Sequence, residues 1–311
     1  MPGVRQDQST PHRWPYDEKA AALYLPVAAI ALTVDSEPST NRNRLVKVVR
    51  RDKAAHPDLR LVLFGEVTLG WFTKGKETES YYERIAETIP GPTMKAVASV
   101  ARELGVHISY GMVERHDRGL SNTQVVIDPG GQLLATYRMV NLRLKFLTPG
   151  PRRAQVFEID GVRCTIMICY DMQSFLLGRE IHRARPEVIL FSVADDERTW
   201  FAAQHTAARF DAWIVCANRY GEESGWMWPG QIFVSDPLGR IRAGSLGGEK
   251  VLYYRIPIVR KHGPIARGVR RTFITVRLAL IILANVHGAW GFAVNRVRVL
   301  MRRRRRKPKK L

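Results

Sequence analysis

Two apolar runs of this chain end on reactive side chains, Leu61-Val-Leu-Phe-Gly-Glu66 on a carboxylate and Cys164-Thr-Ile-Met-Ile-Cys169 on a thiol. Short continuous runs of this kind read as buried strands, here over Leu59 to Phe64 and Val162 to Ile168, so each belongs inside a covered sheet. A residue at the C-terminal tip of such a strand has a rigid support and faces a crevice rather than the core. Either residue alone also fits a plainer role, as a buried structural cysteine or a loop glutamate. It is the pair that constrains the chain.

Other elements fit around these strands. Leu25 to Val34, Val106 to Val113, Thr123 to Ile127, Leu133 to Tyr137 and Gln155 to Ile159 read as strands. So do Glu187 to Val193, Trp213 to Ala217, Ile232 to Ser235 and Ile241 to Ala243. Helical spacing marks Asn41 to Ala55, Thr93 to Leu104 and Thr199 to Ala212. Turns at Asp128-Pro-Gly-Gly131 and Asp160-Gly161 close hairpins. Hairpins mixed with strand–helix alternation predict a layered α/β sandwich rather than a purely parallel sheet. One domain over residues 24–258 is expected, after a polar lead-in over 1–23 that has no apolar signal core.

Charge separates the two ends of the chain. The net charge is +20, and residues 259–311 hold sixteen Lys and Arg and no acid, which leaves +4 for the rest. A basic block of this kind seeks phosphate on nucleic acid or on anionic lipid. Phe273 to Val294 is a mostly apolar stretch of 22 residues, long enough to cross a bilayer, and a hydrophobic helix is expected over 272–294. The polybasic run Arg302 to Lys310 suits an anionic membrane, which predicts a cytoplasmic protein held at the inner face of the cell membrane. Nucleic acid ranks last, because no recognition motif or aromatic interleaving accompanies the charge. Cys164, Cys169 and Cys216 form neither a disulfide framework nor a metal spacing. Asp195-Asp-Glu197 has no second cluster to complete a carboxylate metal site, and no phosphate-binding glycine loop appears, so no metal or cofactor is expected.

Several short motifs recur in one order: Leu61-Val-Leu-Phe-Gly-Glu66, Ile89-Pro-Gly-Pro92, Asn122-Thr123, Thr136-Tyr-Arg138, Phe146-Leu-Thr-Pro-Gly150, Ile168-Cys-Tyr-Asp171, Ala217-Asn-Arg219 and Asp236-Pro-Leu-Gly239. Together they resemble the nitrilase superfamily, the carbon–nitrogen hydrolases, over about Leu25 to Arg255. The segment from Asp195 to Arg209 looks more particularly like the nitrilase domain of apolipoprotein N-acyltransferases. The resemblance implies a four-layer-forming αββα sandwich that can pair into a homodimer. It also implies small amide, nitrile or acyl substrates and a Glu–Lys–Cys site. Cys169 would then be the nucleophile and Glu66 the base, with the Tyr170 N–H helping to hold the oxyanion. Trp200 and Phe201 either line the substrate pocket or cover the core. Asp171 is read as a local cap or pair, and His205 as structural.

One position departs from the family. The usual Tyr-Arg-Lys-x-His-Leu reads here Tyr137-Arg-Met-Val-Asn-Leu142, so Met139 holds the lysine place. Methionine can neither carry charge nor donate a hydrogen bond. Lys145 is the replacement candidate, ahead of Arg138 and Arg143, whose guanidinium groups are bulkier and planar. Two functions stay open: a cysteine-dependent hydrolase or acyltransferase, and a pseudoenzyme that binds a ligand without turnover.

Overall fold

The computed structural model describes residues 21–73, 77–195, 206–207 and 209–260. The chain begins with β1 (Leu23–Thr33), α1 (Pro38–Ala55), β2 (Leu61–Leu63), α2 (Thr78–Ile85) and α3 (Pro92–Leu104). Next come β3 (His107–His116), β4 (Gly119–Ile127), β5 (Leu133–Arg138), β6 (Val156–Ile159) and β7 (Val162–Ile168). A 3-10 turn (Cys169–Gln173) leads into α4 (Phe175–Ala184) and β8 (Val188–Ser192). The domain closes with β9 (Trp213–Glu223), β10 (Trp226–Pro229), β11 (Ile232–Ser235), β12 (Ile241–Ser245) and β13 (Lys250–Ile258).

The strands are hydrogen-bonded in the order β5-β4-β3-β2-β1-β9-β8-β7-β6, with β13 also lying along β1. The connecting strand is β9. Its Val215 pairs with Leu190 of β8 and Val234 of β11, while Asn218 to Tyr220 pair with Ala31 to Thr33 of β1. A single strand thus serves both halves of the sheet. β2, β1, β9, β8 and β7 form consecutive parallel pairs. Parallel pairing makes their C-terminal tips emerge on the same side, and that brings Glu66 and Cys169 to one edge.

β1 is buried on both faces, and its side chains alternate between two cores. Leu25, Val27, Ala29 and Ala31 join the core shared with β7, β8 and β9. Ala28, Ile30 and Leu32 meet Leu45, Val48 and Val49 of α1 and Val97, Val100 and Ala101 of α3. Burial on both faces is why β1, β2 and β8 read as unbroken apolar runs.

Four elements are additions to the sequence reading: α2, α4, β10 and β13. β9 also runs on to Glu223 instead of stopping at Ala217, because Asn218, Arg219 and Glu223 are buried polar residues that end the apolar pattern without ending the strand. The lead-in over 1–20, Trp200, Phe201, His205 and the hydrophobic helix expected over 272–294 lie outside the described residues. Among the described residues no helix is long and apolar enough to cross a membrane.

Candidate active site

Glu66 follows β2 through a tight passage. A Cβ on Gly65 would stand 2.9 Å from the Asn218 carbonyl carbon and 3.1 Å from the Val193 oxygen, so only glycine lets β2 pass this close to β8 and β9. The Glu66 N–H then donates to the Val193 oxygen at 3.3 Å. Cys169 reaches the same place from β7 with a φ of 42°, a left-handed conformation that costs a non-glycine residue on the order of 1–3 kcal/mol. The sharp turn ends β7 and sets the sulfur at the strand tip, much as a nucleophile elbow does.

The two side chains meet in a dry environment. Glu66 is 3% exposed and Cys169 is 6% exposed. Glu66 Oε1 accepts from Asn122 Nδ2 at 2.7 Å, and Oε2 accepts from the Ala194 N–H at 2.8 Å. The Cys169 thiol and the Glu66 carboxyl group lie close enough for each to shift the other's proton affinity. Burial outweighs these bonds and lifts Glu66 from an ordinary 4.5 to about 7. Burial first, then the negative charges of Glu66 and Asp195, push the Cys169 thiol well above its ordinary value. The resting pair is therefore a neutral thiol beside a carboxyl group poised near neutrality, the condition for a general base.

Arg219 supports this arrangement from below. It is 1% exposed and forms an ion pair with Glu223. Its guanidinium donates to the carbonyls of Glu66 at 2.7 Å, Val67 at 2.5 Å and Gly70 at 2.6 Å. The loop that carries Glu66 is held by one cation from β9. The same loop carries Phe72, whose ring lies under the guanidinium at 4.9 Å.

Met139 is buried at 4% exposure, and its Sδ lies 3.4 Å from Asn122 Nδ2. The thioether therefore contacts the same amide nitrogen that donates to Glu66. The three basic candidates are placed elsewhere. Arg138 makes a two-pronged pair with Glu114, at 2.7 and 2.5 Å. Arg143 stacks 4.4 Å over the Tyr170 ring. Lys145 is exposed, and among the described residues it makes no hydrogen bond or ion pair. Among the described residues, Arg219 is a cation whose field reaches Glu66.

Asp171 does pair locally. Its Oδ2 accepts from the Tyr137 hydroxyl at 2.6 Å, and its Oδ1 accepts from the N–H groups of Val140 and Asn141 at 3.0 and 2.8 Å. Asn141 Nδ2 donates to the Tyr170 oxygen at 2.9 Å. The segment around Met139 is thereby tied to the turn that carries Cys169. Among the described residues no group of three His, Cys, Asp or Glu side chains gathers as it would around a metal ion. The contributions of Asn122 and of the Arg219–Glu223 pair were missed in the sequence reading. The available signal was polar residues set inside otherwise apolar strands.

The family model for the carbon–nitrogen hydrolases matches residues 20–260. A nitrilase from Pyrococcus abyssi is 28% identical over 218 residues, 66% of this chain and 78% of that protein. Omega-amidase NIT2 from Homo sapiens is 25% identical over 277 residues, 81% of this chain and 97% of that protein. Among solved structures, Saccharomyces cerevisiae Nit3 superposes with a TM-score of 0.69 at 17% identity, covering 81% of this chain and 95% of that one. An amidase from Nesterenkonia sp. gives 0.66 at 18% identity, covering 79% and 97%. A mutant of that amidase, solved in complex with butyramide, gives 0.64 at 18% identity, covering 76% and 92%. With the strand order, the paired strand tips and a family match over most of its length, the chain belongs to the carbon–nitrogen hydrolases.

Proposed function

We propose that the protein is a cysteine-dependent hydrolase of small carboxamides. The observation that carries this reading is the buried Glu66–Cys169 contact, with the thiol set on a left-handed strand tip and the carboxyl raised to about 7. Cys169 sulfur attacks the carbonyl carbon as its proton passes to Glu66. The carbonyl electron pair moves onto oxygen beside the Tyr170 N–H. Glu66 returns that proton to nitrogen, the carbon–nitrogen bond breaks, and ammonia leaves a thioester. Water then attacks as Glu66 takes its proton, the carbon–sulfur bond breaks as Glu66 passes that proton to sulfur, and the carboxylic acid leaves with the Cys169 thiol and the Glu66 carboxylate restored.

Hydrolysis is favoured over acyl transfer because the relatives found are named as amidases and nitrilases. Transfer to an amine would use the same thioester. One observation favours a second reading, a ligand-binding pseudoenzyme: a thioether holds the lysine place and Lys145 is exposed. Ammonia release from butyramide decides between them. Release by the wild type that disappears in Cys169→Ser supports the hydrolase. Binding of butyramide without release by any preparation establishes the pseudoenzyme.

A further inference from the structure

We infer that Asn122 recognises the reacting carboxamide: its second Nδ2–H polarises the carbonyl oxygen where the lysine is missing, and its Oδ1 accepts an N–H of the leaving nitrogen. This rests on the hydrolase reading above and names the group that would select amides within it.

Asn122 lies on β4 at 4% exposure, and its orientation is set by its neighbours. The Asn122 nitrogen faces Glu66 Oε1 and donates to it, the orientation that suits the ionised carboxylate, which only accepts hydrogen bonds. That nitrogen has two hydrogens. One is committed to the carboxylate at 2.7 Å, and the other meets Met139 Sδ at 3.4 Å. A thioether is a weak acceptor, so this second N–H loses little when an oxyanion replaces it. Asparagine side chains serve as oxyanion donors in other hydrolases, and losing one such donor lowers the rate by on the order of 10²–10³.

Oδ1 points to the other half of the substrate. It is buried and has no hydrogen-bond partner among the described residues. A buried acceptor without a donor is costly, and an incoming N–H removes that cost. The free donor and acceptor of Asn122 match the acceptor and donor of a primary carboxamide. An ester supplies the acceptor but no N–H, so the site should favour amides over esters of the same acyl group. The backbone keeps the group in place: the Asn122 oxygen accepts from the Met139 N–H at 2.8 Å.

Two measurements test this. The first is calorimetric binding of butyramide to Cys169→Ala, which cannot turn over, with and without Asn122→Ser. Asn122→Asp, nearly identical in shape, serves as the second variant, and thermal melting of each checks folding. Affinity should fall roughly tenfold or more, the size expected for losing one or two hydrogen bonds. Equal affinity in the folded variants overturns the inference and leaves the hydrolase reading standing. Failure of Cys169→Ala to bind butyramide, together with no ammonia release by the wild type, overturns both. The second measurement is the rate loss of Asn122→Ser in two backgrounds. It should be about 10²–10³ in the wild type and much smaller beside Met139→Lys, where an ammonium supplies the donor. An equal loss in both backgrounds would mean that Asn122 only positions Glu66, and would overturn the inference.

Discussion

Met139→Lys should raise amide turnover, and the structure sets the expected size. Lysine is one atom longer than methionine, and the methionine sulfur already lies 3.4 Å from Asn122 Nδ2, which is 2.7 Å from Glu66 Oε1. An ammonium at the end of that chain comes within about 4 Å of the carboxylate. At an effective dielectric near 20 the attraction is about 4 kcal/mol, or about three pKa units at 1.36 kcal/mol each. Glu66, now at about 7, should fall back toward the ordinary carboxylate range. Desolvating the ammonium costs several kcal/mol and largely offsets the attraction, so stability should change little. The transition state gains one charged donor, for a rate increase on the order of 10²–10³. The assay is kcat/KM for ammonia release from butyramide between pH 5 and 9. Glu66 must be ionised to act as base, so the acid limb should lie near 7 in the wild type and move lower in the variant. A folded Met139→Lys protein with unchanged kcat/KM and an unmoved acid limb would refute the reasoning. So would loss of wild-type activity in Lys145→Ala, since the exposed Lys145 would then be the site cation.

Two further outcomes follow from the same geometry. The rise of Glu66 from 4.5 to about 7 means that the folded state holds a proton that the unfolded chain releases, so stability falls as pH rises through that window by about 3 kcal/mol in all. In Glu66→Gln that contribution should vanish, so the unfolding free energy should fall less between pH 4.5 and pH 8 than in the wild type, read by urea titration. An unchanged slope would show that another group titrates there. Arg219→Ala should cost about 3–5 kcal/mol by leaving Glu223 charged and buried, and should abolish ammonia release by freeing the Glu66 loop. Adding Glu223→Ala should restore part of that stability, and strictly additive losses would count against a coupled pair.

Apolar patterning made most strands legible. β7 and β11 match their expected bounds, and β2 and α3 fall within one or two residues of theirs, because their side chains are buried on a regular period. α2 and α4 escaped because they are short, at 8 and 10 residues, and mix exposed charges with few buried positions. β10 exposes Trp226 and Met227, so no alternation marks it. The tip positions of Glu66 and Cys169 were legible for the same reason as the strands that carry them.

What the sequence determined by itself was the family, the two reactive strand tips and the loss of the lysine, since each is written locally in a run or motif. Tertiary structure alone decided what surrounds that position. Parallel pairing from β2 to β7 brings residues 66 and 169 together, and strand β4 delivers Asn122 between Glu66 and Met139. The same packing sends Arg138 to Glu114, stacks Arg143 on Tyr170 and leaves Lys145 exposed. Such partners lie tens of residues apart, and a side chain's protonation depends on its burial and nearest charges. No local pattern encodes either, so the poise of Glu66 near 7 exists only once the chain has closed around it.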